Sequence, residues 1–467
     1  MTGLRAGARA RSVSYAPLAT APPLPVPATV DQLAQTDVIV IGGGPAGSTV
    51  STLLARRGWR VAMFEKERHP RFHIGESLLP MNMPIVERLG AMDKLRAIGV
   101  TKFGADFEAA NERGYNTFLF ARALGGSPPS AFQVKRQEFD EMLFRHATEN
   151  GVQAFEGARV TGVEFDADGV DVTVADANGE TRWRAKQLVD ATGRDTFLSN
   201  RFKLKQKHSR HQSAALFAHF TGVELRPGDD AGNISIYQFE HGWIWMIPLR
   251  EGVVSIGAVC WPEYLKRRNG RNAEFLLETL ALVPAAQARM RGATMIDNLN
   301  VTGNFSYVST RMSGPRWLLV GDAFAFVDPV FSSGVYLAMN GAEHAVTALD
   351  EALRNPSQEA RAKSRFEAIV RRGLTEFSWF IFRFTTPAMR RLFANPRNAF
   401  GVEQAVISML AGDVFADPRV RARLRVFKAI YYATAFRMLG SNLKHYFRRR
   451  RQLGERFSGG TTKQDHV

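Results

Sequence analysis

The sequence predicts an α/β fold: a Rossmann-like domain, an inserted antiparallel sheet and a helical C-terminal region. Three observations predict it. A strand, a glycine loop, a helix and a second strand follow one another within residues 37–65. Residues 159–189 read as short strands separated by turn sequences, and from about residue 360 onward the pattern is helical. The 467 residues, 45% hydrophobic and 23% charged, suffice for two or three structural units around a large core.

Residues 1–30 are rich in Ala, Pro and Ser, carry Arg5, Arg9 and Arg11, and contain no acid. Such a segment cannot bury enough apolar surface to order itself, so 1–33 is expected to be a disordered basic leader. A transit peptide would share that composition; the apolar core of a secretory signal is lacking.

The run Asp37-Val-Ile-Val-Ile41 is apolar and β-branched, hence a buried strand. Gly42-Gly43-Gly44-Pro45-Ala46-Gly47 follows, then a helix through Arg57, a break at Gly58, and a strand Val61–Phe64 ending in Glu65. Turns at Asp166–Gly169 and Asn178-Gly179 divide 159–189 into an antiparallel meander, and Arg316–Val320 is one more strand. The expected division is 34–200 for the first part of the dinucleotide-binding domain, 201–300 for a substrate-facing sheet, and 301–355 for the second part. Residues 356–467 complete it as a helical region with a basic tail.

Composition excludes several functions. A single cysteine, Cys260, rules out an intramolecular disulfide and a cysteine metal cluster and fits a reducing cytoplasm. It follows the strand-like run Val253 to Val259, which makes a buried thiol the expectation. No stretch of eighteen uninterrupted apolar residues occurs, so no spanning helix is expected. The formal charge of +16 is concentrated, with eleven Lys or Arg and no acid in 418–454. Neither zinc-finger spacing nor an RNP-like string accompanies it, and nucleic acid is rejected as a partner. Leu424, Phe427, Tyr431, Ala435 and Met438 recur at helical spacing there, with Arg448–Arg451 beyond them. A packed helix with a solvated tail is the first expectation. A docking surface for an acidic carrier protein or an anionic membrane surface is the second.

The G-x-G-x-x-G loop follows a strand, opens a helix and has an acid at the end of the next strand, the context that gives the motif its meaning. Gly42 permits the tight turn, Gly44 lets a pyrophosphate approach the backbone, and Gly47 allows close helix packing; Ala46 lies between them. The helix N-terminus offers free N–H groups to phosphates, and Glu65 offers a carboxylate to ribose hydroxyls. Val189-Asp-Ala-Thr-Gly193-Arg194 resembles the second glycine motif of flavoproteins, and Gly321-Asp322-Ala323 the motif whose aspartate contacts the ribityl chain. Arg136, in Gln133-Val-Lys-Arg136-Gln-Glu-Phe139-Asp140, matches a further position beside the cofactor. Together these indicate FAD. With no second dinucleotide loop legible, reduced FAD is expected from a separate flavin reductase.

Three further strings narrow the family: Gly75-Glu76-Ser77-Leu78-Leu79-Pro80, Trp243-Ile-Trp245-Met-Ile-Pro248, and Asp328-Pro329-Val-Phe331-Ser-Ser333-Gly334-Val335. In these the chain resembles the flavin-dependent halogenases, over roughly residues 36–350. The resemblance implies an FAD-binding domain of the GR2/PHBH type and halogenation of an aromatic ring with O2 and chloride or bromide. Trp243 and Trp245, on one face of a strand by their period-two spacing, would keep organic substrate away from the flavin. Glu76, Ser77 and Pro329 would lie against the cofactor, and the Ser333 and Gly334 amides would hold the halide. Lys102, in Val100-Thr-Lys102-Phe-Gly-Ala105, falls where halogenases carry the lysine that handles hypohalous acid. By residue pattern alone, such a lysine is more often a solvated strand end. His73 is expected to be structural rather than a general base.

Tryptophan halogenases carry a glutamate where this chain has Phe331, so the resemblance disfavours free tryptophan. It implies a phenol, a pyrrole or a carrier-tethered aromatic group. Phe377, Trp379, Phe380, Phe382 and Phe384 would line an apolar pocket or belong to the core. Two other readings stand beside the halogenase: a flavin monooxygenase or prenyl/polyene reductase on the same scaffold, and a non-catalytic flavoprotein component.

Overall fold

A computed structural model of the chain describes residues 33–109, 114–415 and 417–453, and counts below refer to these. The leader expected at 1–33 lies outside them except for residue 33. The Rossmann-like unit is a six-stranded sheet in the order Ser313–Gly314, Trp317–Leu319, Gln187–Asp190, Val38–Ile41, Val61–Glu65, Gln153–Glu156. It is parallel apart from its outermost pair. Val38–Ile41 is apolar at every position because both of its faces are covered.

The meander forms as the turns predict, with strands Arg159–Phe165, Val170–Asp176 and Gly179–Ala185 pairing antiparallel. Its expected last strand departs: Gln187–Asp190 leaves the meander and runs parallel between Val38–Ile41 and Trp317–Leu319. All four of its residues are buried, as a two-sided strand requires.

A nine-stranded sheet forms the second layer, built around Lys205–Thr221, Val254–Cys260, Gly242–Pro248 and Ile234–Phe239. The sequence reading gave this sheet residues 201–300. It also takes Gly104–Glu108 and Tyr115–Leu119, and on the other side Asn300–Ser309. Nor is it wholly antiparallel, since Ile234–Phe239 runs parallel to Gly104–Glu108. Alternation sorts its faces. Trp243, Trp245 and Ile247 belong to the core shared with the C-terminal helices, whereas Ile244 and Met246 pack with Phe275 and Leu276 of the helix Asn272–Ala281.

Behind both layers run the helices Ser333–Arg354 and Glu359–Ile381, then Pro387–Ala394, Val402–Ala411, Pro418–Arg437 and Leu439–Leu453. Phe377, Phe380 and Phe384 are fully buried core residues. In Pro418–Arg437 the buried positions are Val420, Leu424, Phe427 and Tyr431, spaced along one face. Phe436, Leu439, Tyr446 and Phe447 beyond them are exposed. Side chains at 449–451 lie outside the described residues. No described helix is long and apolar enough to cross a membrane.

Candidate cofactor and reaction site

A cavity of about 590 Å³ runs between the parallel sheet and the large sheet. Its first wall is the glycine loop. Gly42 has φ +104°, and a Cβ there would meet Ala191 O at 2.4 Å. At Gly47 a Cβ would lie 1.8 Å from Gly42 O, so the helix packs onto the loop only without a side chain. Gly44 differs: the nearest atom to a Cβ is Arg71 Nη2 at 3.5 Å, and the space before it belongs to the cavity. The helix Pro45–Ala55 begins there with no side-chain cap, leaving its first N–H groups for a ligand.

Glu65, at the end of the next strand, accepts from Gly43 N–H at 2.8 Å and from Arg71 Nη2 at 3.2 Å. Arg71 also reaches Asp140 at 3.4 Å, and its buried Nε has no hydrogen-bond partner. Arg136 is held by Asp140 through two bonds of 2.8 and 2.9 Å and donates to Ile74 O at 2.7 Å. Burial and these guanidinium charges push His73 down, so its ring is neutral at pH 7. The sequence reading did not single out Arg71 and Asp140. The available signals were the string that carries Arg71 into Gly75-Glu76-Ser77, and the helical i,i+4 spacing of Arg136 and Asp140.

The cavity is also lined by Gly193, Asp322, Pro329, Ser333 and Gly334, by Ala46, and by Trp243 and Trp245. Burial pushes the Asp322 carboxyl up to about 6. Ser333 and Gly334 open the 22-residue helix Ser333–Arg354, whose N-cap Ser332 sits in the left-handed region at φ +54°. Their amides therefore lie at the positive end of a helix dipole, and both residues line the cavity. The two indoles are 5.6 Å apart and inclined by 45°. Trp245 Nε1 donates to Ser255 Oγ at 3.2 Å, and Gly257 lies opposite it in register, where a Cβ would meet the indole at 2.3 Å.

Of the sequence-predicted site residues, Gly47 and Lys102 do not line the cavity. Gly47 is packed behind the loop. Lys102 closes the short strand Gly99–Lys102, paired with Ala131–Val134. It is 1% exposed, so the solvated strand end expected from residue pattern does not occur. Its Nζ donates to Ser77 Oγ at 2.7 Å and lies 5.6 Å from the Phe120 ring centroid. Burial pushes its pKa down to about 7. Ser77 itself faces the cavity, so the lysine stands one side chain behind the wall. Cys260 is buried with its thiol pushed up, which makes it inert.

These features fit FAD: a glycine cradle with room only at Gly44, free helix amides, and a buried Arg71 Nε that makes no hydrogen bond. A family model described as an FAD binding domain matches residues 35–366. The chain is 30% identical over 412 residues to 1H-pyrrole-2-carbonyl-[peptidyl-carrier protein] chlorinase of Pseudomonas fluorescens, covering 82% of this chain and 90% of that one. It is 36% identical to tryptophan 2-halogenase of Chondromyces crocatus over 315 residues, 66% of this chain but only 59% of that protein's length. Among solved structures, the flavin-dependent brominase Bmp2 superposes with a TM-score of 0.75 at 27% identity, over 85% of this chain and 99% of that one. A flavoprotein/dehydrogenase from Cytophaga hutchinsonii gives 0.78 at 26% identity, over 86% and 99%.

Proposed function

The chain belongs to the flavin-dependent halogenases, and from that membership we propose that it uses reduced FAD, O2 and chloride or bromide to halogenate an electron-rich aromatic ring. The ring is phenolic, pyrrolic or an aryl group tethered to a carrier protein. The observation that carries this reading is Lys102, buried behind the cofactor wall and bonded to a residue of that wall. An amine with a pKa near neutrality takes up and delivers an electrophilic halogen, which a solvated ammonium does poorly.

Bound FAD supplies the oxygen activation. The protein's part is binding, exclusion and delivery. Gly42, Gly44 and Gly47, with the helix behind them, seat the pyrophosphate; Glu65 and Asp322 accept from the ribose and ribityl hydroxyls. The Ser333 and Gly334 amides hold the halide at a helix N-terminus. Trp243 and Trp245 close the cavity toward the large sheet and keep the organic ring out. Hypohalous acid reaches Lys102 past Ser77, and the lysine fixes the geometry of its attack on the ring. A separate flavin reductase supplies reduced FAD. An acidic carrier protein, where the substrate is tethered, docks on the basic C-terminal helices.

A second reading, free tryptophan as substrate, is favoured by the identity to tryptophan 2-halogenase. Phe331 opposes it, because no carboxylate stands at that position to remove the indole ring proton. The test supplies the protein with FAD, a flavin reductase, NADH and chloride or bromide, with phenols, tryptophan and carrier-tethered aryl or pyrrolyl groups. A product with the halogen isotope pattern in its mass spectrum, absent in Lys102→Ala, is expected. An oxygen added regardless of halide would make the protein a monooxygenase, and two added hydrogens a reductase.

A further inference from the structure

One charged array on the cavity wall has no part in this scheme. Glu76 faces the cavity, and its Oε1 lies 2.8 Å from His219 Nε2. The other ring nitrogen, Nδ1, lies 2.7 Å from Asp297 Oδ2, and the His219 backbone N–H donates to Asp297 Oδ1 at 2.8 Å. Neutral imidazole has one donor and one acceptor, so no tautomer satisfies a carboxylate at each nitrogen; the imidazolium satisfies both. Burial opposes the charge, yet the bonds and charges of Glu76 and Asp297 prevail and hold the ring's pKa up at about 9. Besides these two carboxylates, Ser255 is in register on the adjacent strand, and Phe72 stands edge-on at 6.2 Å. Arg136 bears on Glu76 rather than on the ring, and its donors are engaged by Asp140 and Ile74 O.

We propose that His219 is a positioning residue of the cofactor site: clamped as an imidazolium by Asp297, it fixes the Glu76 carboxylate on the cavity wall and offsets its charge toward the anionic dinucleotide. The inference rests on FAD binding in this cavity and is indifferent to which ring is halogenated. Glu76 is a pivot for the site. Its carbonyl accepts from Val134 N–H at 2.8 Å, and the next residue, Ser77, holds Lys102. Loss of the imidazolium proton turns an attractive contact into a lone pair facing a carboxylate. Glu76 then swings from its place with its charge uncompensated, and FAD binds more weakly.

The test uses the full chain with histidine labelled for NMR, the His219 signal being assigned by its loss in His219→Gln. In cofactor-free protein the ring should stay doubly protonated through neutrality and titrate near 9. FAD affinity, read by quenching of flavin fluorescence, should fall about 10-fold across the same range. Asp297→Asn changes a side chain that is 32% exposed, so it leaves the core intact, and it should lower both midpoints by more than about one pH unit. Three results would overturn the proposal: a ring that titrates near the ordinary histidine value of about 6.5, an affinity that stays flat through the measured midpoint, or midpoints unmoved by Asp297→Asn. Failure of halogenation alone would leave both readouts standing, and absence of FAD binding at every pH would sink the site assignment together with the proposal.

Discussion

Lys102 Nζ donates to Ser77 Oγ at 2.7 Å from behind the wall of the cofactor cavity, and only the serine lines that cavity. One hydroxyl and the face of Phe120 compensate a buried ammonium poorly, so burial pushes the pKa to about 7, well below the 10.5 of a solvated lysine. Between those values the unfolded chain holds a proton that the folded one does not. Wild-type stability should therefore rise with pH from about 7 upward, the reverse of what a paired lysine gives. Lys102→Met removes the charge and keeps most of the length. It should abolish halogenated product, a loss of at least about 100-fold, while FAD fluorescence quenching is unchanged. Chemical unfolding at pH 6 should find it more stable than wild type by a few kcal/mol, on the order expected for a buried charge. A destabilised Lys102→Met protein would show that the lysine is a structural contact.

The reaction should follow the same titration. If the free amine carries the halogen, the rate at saturating reduced FAD rises through about pH 7 and levels off above it. A rate that falls as pH rises through that value would instead assign the work to the ammonium, acting as a hydrogen-bond donor to the oxidant.

The three glycines of the loop should separate by phenotype. Gly47→Ala places a methyl 1.8 Å from Gly42 O, where backbone cannot yield, so the variant should unfold or express as aggregate. Gly44→Ala meets nothing closer than 3.5 Å, so it should fold with an ordinary circular dichroism spectrum and bind FAD at least about 10-fold more weakly. Equal FAD affinity in Gly44→Ala and wild type would mean that the pyrophosphate does not approach this backbone.

Much of this was legible in the chain. Local patterns with a fixed period, the strand Val38–Ile41 and the face shared by Trp243 and Trp245, translate directly into structure because backbone geometry sets the spacing. The departure of Gln187–Asp190 from the meander was not legible, since an apolar strand carries no mark of which sheet it joins. The burial of Lys102 had the same difficulty. Residue pattern predicts solvent for a lysine at a strand end, and the partner that lets it stay inside, Ser77, is 25 residues away. His219 gave no signal at all. Its role depends on Glu76 and Asp297, 143 and 78 positions distant, meeting at one ring.

Gly257 holds Trp245 in place by having no side chain. Gly257→Ala would set a methyl 2.3 Å from the Trp245 ring and 2.5 Å from Phe217 Cβ, and the indole is the more mobile of the two. The ring should tilt into the cavity and break its bond to Ser255. With the wall disturbed, oxidant should escape before reaching Lys102. A soluble thiol scavenger would then capture a larger share of it, with halogenated product falling several-fold per NADH consumed. An unchanged ratio of product to NADH would show that Trp245 is not part of the barrier.

Phe331 has no carboxylate with which to take up a ring proton, and its surroundings leave no place for a charge. The ring is 3% exposed, edge-on to Phe384 at 5.2 Å and stacked on Phe393 at 6.1 Å. Phe331→Leu keeps most of the volume and should cost less than about 1.5 kcal/mol. Phe331→Ala leaves a hole among aromatic rings and should cost roughly 3–5 kcal/mol. Phe331→Glu buries a carboxylate among apolar rings, so it should lower the melting temperature at pH 8 more than at pH 4, where the acid is neutral. Supplying a carboxylate here should therefore not create a tryptophan halogenase, because the Phe384 and Phe393 rings offer nothing to orient it. Thermal unfolding at the two pH values and mass spectrometry with tryptophan decide the matter together. A Phe331→Glu protein as stable as wild type that halogenates tryptophan would mean that this position alone separates the two substrate classes.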